Sequence, residues 1–297
     1  MQKIMLNVVA FCLVAQLATA QIRLPQPSPG ASVMQTIGTT DVTVKYSRPA
    51  MRGREIFGTL VPYGQLWRTG ANAATTLSTT TDLLVNGQRL PAGTYSVFTI
   101  PTQTEWTLIM NKNTAASTDA YKQEEDALRV QIRPQQSGER TESFTINFSD
   151  VTDSTAKLNF MWANVKAAAD LRVDVKANAQ ANVERAVADK PEDPAVLQAA
   201  AAWNLAQGRN LEQALAWTDK SIGLKETFRN VWTKAQILAK MGKAAEALTL
   251  AQRAMSLGQA SNDPSFPFFK DAIQNGITDF QAMIPPMPIK GKKKKTS

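Results

Sequence analysis

The period of the apolar residues changes once along the chain, close to Val175. Before this point apolar and polar residues alternate, as they do from Val42 to Tyr46, and alternation with a period of two is typical of strands with one buried face. After it the chain is rich in alanine and its apolar residues recur at a helical period of about 3.6. The pattern predicts an α+β multidomain protein, with a β-domain at residues 31–175 and a helical domain at residues 176–284.

Short alternating segments recur throughout the first part of the chain. Besides Val42–Tyr46 they are Leu128–Ile132, Phe144–Phe148, Leu158–Trp162 and Leu171–Val175. Between two further apolar segments lies Asn86-Gly87, which favours a type I′ hairpin turn because both central residues of that turn need positive φ. Eight or more short strands without intervening helices predict an antiparallel β-sandwich, jelly-roll-like in architecture, with a closed barrel as the alternative.

The helical part contains an internal repeat of small residues. Three of them recur 33 or 34 positions later, as the pairs Gly208 and Gly242, Ala214 and Ala247, and Ser221 and Ala254. Small residues at these positions let two antiparallel helices approach closely, and each helix pair buries its apolar face against the next. The segment Gly242–Ala254 resembles the second half of a tetratricopeptide repeat. We therefore expect about two tetratricopeptide-like repeats, preceded by a helix from about Lys176 to Asp189 and followed by one from about Phe268 to Met283.

The first twenty residues have the pattern of a secretory signal peptide. Lys3 precedes an apolar run from Ile4 to Leu17, and Ala18-Thr19-Ala20 supplies the small residues of a cleavage site. The run is shorter than the roughly 20 residues that a spanning helix needs, so no transmembrane segment is expected in the mature protein. We predict cleavage near Ala20, followed by a periplasmic or secreted location.

The two ends of the mature chain are rich in proline or lysine. Residues 21–30 form a Pro-rich lead-in, and residues 285–297 form a Pro/Lys-rich tail that is expected to be disordered. Of the formal net charge of +8, Lys3 supplies one unit and the tail lysines supply five, so the chain between them carries only +2. Because the basic charge is mostly a property of the tail, no nucleic-acid partner is predicted. The tail is either a solvated end or a contact for an acidic glycan, lipid or cell-wall surface.

The absence of histidine, and of cysteine outside the predicted signal peptide, excludes most common enzyme mechanisms. The chain has no histidine, and its single cysteine, Cys12, lies in the predicted signal peptide. Ser-His-Asp and Cys-His catalysis, His-built metal sites and disulfides are thereby excluded, and no metal or cofactor is predicted. The remaining route is a carboxylate pair of glycosidase type, for which Glu55, Glu105 and Asp126 are candidates that no spacing selects.

One ordered loop carries an unusual density of arginine and aromatic residues. Between Tyr46 and Asn72 four arginines, two tyrosines and a tryptophan alternate with turn-forming glycine and proline. Guanidinium groups on a rigid loop can bind carboxylate or phosphate, and flat rings can stack on a sugar or peptide. The hypothetical ligand-binding residues are Tyr46, Arg48, Arg54, Trp67, Arg68 and Asn72. In the alternative interpretation the arginines pair with Glu55, Asp82, Glu105 and Asp126 or bind loop carbonyls, and the aromatic residues belong to the core.

This loop and the hairpin that follows it resemble the domain-of-unknown-function family 2911. The resemblance rests on Tyr46–Pro49, Trp67–Asn72, Leu84–Gly87, Leu90–Ser96, Ile100-Pro101, Trp106 and Asn111-Lys112. It covers about Ser28 to Val175 and implies an exported bacterial β-domain, without a catalytic role. Thr114–Gln123 lacks the Trp-Gly pair that members often show, whereas Asp126 and Arg129 are present.

Together these observations predict an exported, non-catalytic binding or scaffold protein of the bacterial cell envelope. Its expected partners are an acidic glycan or another envelope component at the Arg-rich loop, and a protein or peptide at the helical repeats. For the repeats, packing within the protein is an equal alternative, because two repeats form only a short groove. The alternative function is a glycan-acting hydrolase that uses a carboxylate pair.

Overall fold

The computed structural model describes residues 24–115 and 117–285, which form two compact units divided between Val173 and Asp174. The predicted signal peptide, the first residues of the lead-in and nearly all of the lysine tail lie outside these residues. The first unit contains two antiparallel β-sheets and the second contains six α-helices. No helix in the described ranges has the length and apolar content required to cross a membrane.

Ten strands build the first unit. They are β1 (Gly30–Ile37), β2 (Thr40–Ser47), β3 (Thr76–Thr79), β4 (Leu83–Val85), β5 (Gln88–Leu90), β6 (Gly93–Pro101), β7 (Trp106–Asn111), β8 (Asp126–Ile132), β9 (Pro134–Ser149) and β10 (Thr155–Arg172). The six-stranded sheet has the order β1-β2-β3-β6-β7-β8, and the four-stranded sheet has the order β5-β4-β10-β9. All strand pairs are antiparallel.

Local sequence explains the register of these strands. In β2 the alternating residues Val42, Val44 and Tyr46 are buried, whereas Asp41 and Lys45 are exposed. A slip of one residue would reverse the two faces, so burial fixes the pairing. The predicted hairpin turn joins β4 to β5, and both of its residues have positive φ, +47° at Asn86 and +81° at Gly87.

Side chains from both sheets share one aromatic core. The Tyr46 ring on β2 meets the Phe144 ring on β9 edge-on at 5.9 Å between centroids. The Phe57 ring lies 4.9 Å from Trp106 on β7 and 6.4 Å from Trp162 on β10. Because the strands that carry these rings belong to different sheets, the aromatic contacts stabilise the association of the two sheets.

The last strand of the unit folds back on itself. If β10 were straight, Lys157 and Asp170 would lie about 43 Å apart, at about 3.3 Å per residue. Instead their charged groups are 2.6 Å apart, and the Val173 amide donates to the Ser154 carbonyl at 2.9 Å. Both contacts are symmetric about the Ala163-Asn164 bond, and Ala163 has a φ of +54°. β10 is therefore a hairpin with two arms and a tip near Ala163.

One predicted strand ends earlier in the structure than the sequence pattern indicated. Leu158–Trp162 lies in its first arm, and the predicted strand Leu171–Val175 overlaps its second arm only as far as Arg172. Val175 is instead the first residue of a helix, because the Asp174 carboxylate accepts a hydrogen bond from the Ala177 amide at 3.0 Å and caps the helix N-terminus. The prediction of a strand through Val175 is wrong for this reason.

The second unit consists of six helices. They are α1 (Val175–Asp189), α2 (Pro194–Gln207), α3 (Leu211–Leu224), α4 (Phe228–Lys240), α5 (Ala244–Ala260) and α6 (Phe266–Ala282). The helices predicted before and after the repeat correspond to α1 and α6 within two residues at each end. Asp193 caps α2, and a reciprocal capping box between Thr227 and Asn230 begins α4.

The recurring small residues mark equivalent places in successive helices. Gly208 and Gly242, with φ of +66° and +81°, lie at the ends of α2 and α4 and turn the chain into α3 and α5. Asn210, with a φ of +50°, is an additional left-handed residue in the connection between α2 and α3. The other four repeated residues, Ala214, Ser221, Ala247 and Ala254, are fully buried.

Candidate functional site

The Arg-rich segment is the long connection between β2 and β3, and backbone hydrogen bonds hold it in place. Near its start the Met51 amide donates to the Glu142 carbonyl at 2.8 Å, and the Phe144 amide donates to the Pro49 carbonyl at 2.9 Å. Near its end Trp67 and Thr99 exchange two such bonds, of 2.7 and 2.9 Å. The connection is thus fixed to β9 and β6 and can present side chains in defined positions.

The three arginines of the hypothetical site bind main-chain carbonyls. Arg48 donates from Nε to the Phe144 carbonyl at 3.1 Å, and from Nη2 to Oγ1 of Thr145 at 2.7 Å. Arg54 donates to the Met51 and Ala50 carbonyls at 2.9 and 2.8 Å. In the described ranges none of these arginines forms an ion pair, and two of the acidic residues considered as partners pair elsewhere, Asp82 with Arg89 and Asp126 with Arg129. Of the alternatives left open by the sequence, the arrangement corresponds to capping of loop carbonyls.

The two aromatic residues of the hypothetical site lie in the core. Tyr46 is 7% exposed, and its hydroxyl donates to the Ile146 carbonyl and accepts from the Ile146 amide. The half-buried Trp67 stacks on Trp162 with an interplanar angle of 19° and 5.8 Å between ring centroids, and its indole N–H donates to the Gly70 carbonyl. Their ring surfaces are used in packing.

The structure brings only some of the six predicted residues together. Arg68 donates to the Asn72 carbonyl at 2.9 Å, and the Asn72 side-chain amide donates to the Ser28 carbonyl at 3.1 Å. Tyr46 and Arg48 both bind residues 144–146 of β9. None of the six residues lines any of the cavities described below. Their role in ligand binding stays a prediction.

A cavity of about 360 Å³ opens beside the same loop, and we call it the Tyr63 cleft. It is lined by Phe57, Tyr63, Thr102, Gln103, Trp106, Pro134, Gln135, Gln136 and Val165. The loop is anchored there by the Gly64 amide, which donates to the Pro101 carbonyl at 2.8 Å. The Tyr63 ring lies over Gly58, whose φ is +96° and at which a Cβ atom would stand 2.9 Å from the ring. A glycine is therefore required beneath Tyr63.

Aromatic side chains form one part of the Tyr63 cleft, and uncharged polar side chains form another. Trp106 is 2% exposed and packs against Phe57, whereas Tyr63 is 39% exposed. Gln103, Gln135 and Gln136 are exposed, and their side-chain amides have no hydrogen-bond partner in the part of the chain that the structure describes. Each amide offers two donor hydrogens and an accepting oxygen. No charged residue is among the described residues that line the cleft, so its chemistry suits a neutral ligand with many hydroxyl groups.

Sequence reasoning missed this cleft because its glutamines come from separate segments. Gln103 lies in the turn between β6 and β7, whereas Gln135 and Gln136 lie at the start of β9. The only local signal was the Gln135-Gln136 pair directly after Pro134, in a chain region with no other unusual feature. Tyr63 belongs to the loop that the sequence singled out, yet the prediction favoured the half-buried Trp67 four positions further on.

A second polar cluster lies on the six-stranded sheet near the end of β7. The Tyr121 hydroxyl donates to Asp126 Oδ2 at 2.7 Å, and Arg129 donates to both groups at 2.9 Å or less. Asn111 donates to the other Asp126 oxygen at 2.9 Å. Burial, and next the hydrogen bond to Asp126, raise the pKa of Tyr121 to about 12.

Hydrogen bonds hold Asp126, which is one of the three carboxylates that the sequence offered for glycosidase-type catalysis. Both of its carboxylate oxygens are occupied, and the Tyr121 ring packs edge-on against Phe98 at 5.3 Å. The cluster thus fastens the segment after β7 to the sheet. Of the carboxylates considered for catalysis, Asp126 has a structural role. No group of three or more His, Cys, Asp or Glu side chains suited to a metal ion occurs within residues 24–115 and 117–285.

The β-sheet unit, which includes the long ordered connection between β2 and β3, is similar to a known protein family. Residues 28–171 match the model of the family described as a protein of unknown function (DUF2911). The match runs from just before β1 to the last residues of β10 and includes every residue that lines the Tyr63 cleft. No family model names the helical region, and neither a curated protein nor a solved structure matches the chain.

Proposed function

We propose that this is an exported, non-catalytic binding protein of the bacterial cell envelope, and that the Tyr63 cleft binds a neutral segment of a glycan. The observation that carries the proposal is the lining of the cleft, an exposed tyrosine ring beside three glutamine amides without partners among the described residues. A sugar ring presents an apolar C–H face to an aromatic ring and hydroxyl groups to amides.

Binding is favoured over hydrolysis at this place. Glycosidases of the usual kind need two carboxyl groups, roughly 5 to 9.5 Å apart, on either side of the scissile bond. The lining of the Tyr63 cleft contains neither Asp nor Glu. A glycan in this cleft would therefore be held without being cleaved by that mechanism.

The finer architecture is part of the same proposal. We propose that the first unit is a jelly-roll-like β-sandwich, supported by the aromatic contacts between its two sheets. We further propose that α2–α5 are tetratricopeptide-like repeats with a protein or peptide partner, supported by the equivalent Gly208 and Gly242 turns. Export rests on the apolar run Ile4–Leu17 and the Ala18-Thr19-Ala20 cleavage pattern.

Calorimetric titration with neutral oligosaccharides tests the cleft. We expect a hexasaccharide of glucose or of N-acetylglucosamine to bind the wild-type chain, and Tyr63→Ala and Gln135→Ala each to weaken it about five- to tenfold. Leu60→Ala is the matched control, because Leu60 is exposed on the same loop and does not line the cleft. Absence of binding by every neutral sugar, or equal binding by wild type and both cleft variants, would contradict the proposal.

A further inference from the structure

Two adjoining cavities lie along the folded-back strand β10. Their volumes are about 570 and 450 Å³, and both are lined by Asn86, Asp150, Lys157 and Asp170. Because they share these four residues, they form one continuous depression, which we call the hairpin groove. Gln135 lines both this groove and the Tyr63 cleft, so the two sites are neighbours.

The middle of the hairpin groove is held by a polar frame. The Lys157 ammonium and the Asp170 carboxylate, one on each arm of β10, are 2.6 Å apart. The Asn86 side chain donates to the Gln131 carbonyl at 2.7 Å and accepts from the Asp170 amide at 2.7 Å. The bond to Asp170 raises the pKa of Lys157, so this side chain keeps its charge. The centre of the groove is thus charged and ordered before any ligand binds.

Cations at both ends of the groove have no carboxylate partner in the described chain. Lys166 lines one cavity and Arg172 the other, and they point to the same face of one β10 arm. Six residues separate them, which corresponds to about 20 Å along a strand. Arg133 lies near Lys166 in the same cavity. The antiparallel pairing of Ala167 with Pro134, extended by one residue, places Arg133 opposite Ala168, two positions from Lys166.

From this arrangement we infer that the hairpin groove binds a linear acidic glycan, with its carboxylates at Lys166 and Arg133 on one side and at Arg172 on the other. Cations about 20 Å apart fit an extended chain better than a single compact anion. The two aspartates at the centre can accept hydrogen bonds from sugar hydroxyls, whereas they would repel a nucleic acid, which carries a phosphate at every residue. The inference goes beyond the proposed function and does not depend on neutral sugar binding in the Tyr63 cleft.

Titration of the full chain with a hyaluronan hexamer, in which acidic glucuronic acid alternates with neutral N-acetylglucosamine, tests the inference, with a neutral glucose hexamer as the uncharged probe. The variant Lys166→Gln/Arg172→Gln should bind the acidic hexamer at least about tenfold more weakly than wild type. The matched control is Lys45→Gln/Arg140→Gln, which removes the same charge from two exposed residues outside the groove and should bind like wild type. The glucose hexamer should bind both double variants equally.

Three results would overturn the inference. One is equal binding of the acidic hexamer by the groove variant and its control. Another is loss of that binding when the tail lysines, Lys290 and Lys292–Lys295, are replaced by glutamine while the groove is intact, because the tail would then be the site. The third is tighter binding of a single-stranded oligodeoxynucleotide of equal charge. None of these results concerns the binding of a neutral sugar, so failure here leaves the test of the Tyr63 cleft unaffected.

Discussion

The Lys157 ammonium contacts the Asp170 carboxylate at 2.6 Å, although the two residues are thirteen positions apart in strand β10. The contact exists because β10 reverses near Ala163, whose φ of +54° places a non-glycine residue in the left-handed region. An L-residue in that region costs roughly 1–2 kcal/mol, which the surrounding hydrogen bonds offset. The tip of the hairpin is therefore a place where stability can be gained.

Ala163→Gly should raise the free energy of unfolding by about 0.5–1 kcal/mol, because glycine adopts the left-handed conformation without the Cβ penalty. Ala168→Gly, in the second arm of the same hairpin, should lower it by a similar amount, since extended backbone gains nothing from glycine. Urea unfolding of both variants measures the two changes. If both changes had the same sign, the left-handed tip would be refuted.

Arg48→Met should lower the free energy of unfolding by about 1–3 kcal/mol, because it removes the bonds to the Phe144 carbonyl and to Thr145. Arg140→Met serves as the control, since Arg140 is exposed and has no bonded partner in the described chain. Its effect should stay within about 0.5 kcal/mol. Equal, small effects of the two changes would show that Arg48 is not a structural residue.

Two glycines of the helical unit should respond oppositely to alanine. A Cβ at Gly276 would lie 2.3 Å from the Trp232 ring, so Gly276→Ala forces helix α6 away from α4 and should cost about 1–3 kcal/mol. At Gly223, in helix α3, a Cβ meets nothing within 4 Å, and Gly223→Ala should stabilise the helix by up to about 1 kcal/mol. Thermal unfolding followed by circular dichroism at 222 nm distinguishes these outcomes. Similar melting temperatures for the two variants would contradict the close packing at Gly276.

Tyr121 should make stability depend on pH in the alkaline range. Its pKa is raised from 10.0 to about 12 in the folded protein, first by burial and then by the bond to Asp126. Up to about pH 10 the phenol is protonated in both states; above it the unfolded chain loses the proton first, so the free energy of unfolding falls until about pH 12.

The control for this prediction is Tyr121→Phe, in which the other titrating groups are retained. Between about pH 9 and pH 12 the wild type should lose more unfolding free energy than Tyr121→Phe. Urea unfolding at several pH values within this range gives both curves. Parallel curves would show that the Tyr121 phenol titrates alike in the folded and unfolded states.

The fold was predictable where the pattern is local. Alternation at Val42–Tyr46 fixed a strand, and Asn86-Gly87 fixed a turn, because burial period and positive φ are properties of adjacent residues. The reversal of β10 was not predictable, since Ala163 is no usual turn residue and the two arms are held by pairing with β9 and with the distant strand β4. The strand predicted through Val175 ends earlier because the cap at Asp174 outweighs the alternation of the valines.

The candidate site was less predictable than the fold. The sequence singled out the loop that carries Tyr63, yet a high density of arginine does not reveal whether guanidinium groups face a ligand or a carbonyl. Arg48 and Arg54 have carbonyl partners that the fold supplies from β9 and from the loop itself. The glutamines of the Tyr63 cleft come together only through the pairing of strands, so no local pattern could join Gln103 to Gln135.

The central claim is that the Tyr63 cleft binds a neutral glycan through its glutamine amides. The most direct test is a two-dimensional ¹⁵N–¹H NMR titration that follows the side-chain amide signals of Gln103, Gln135 and Gln136 while a neutral hexasaccharide is added. These three signals should shift together and saturate at one ligand concentration, with the signal of Gln198 in helix α2 unchanged. If the three signals stay in place while excess hexasaccharide is added, or if the Gln198 signal shifts instead, the proposed binding site is wrong.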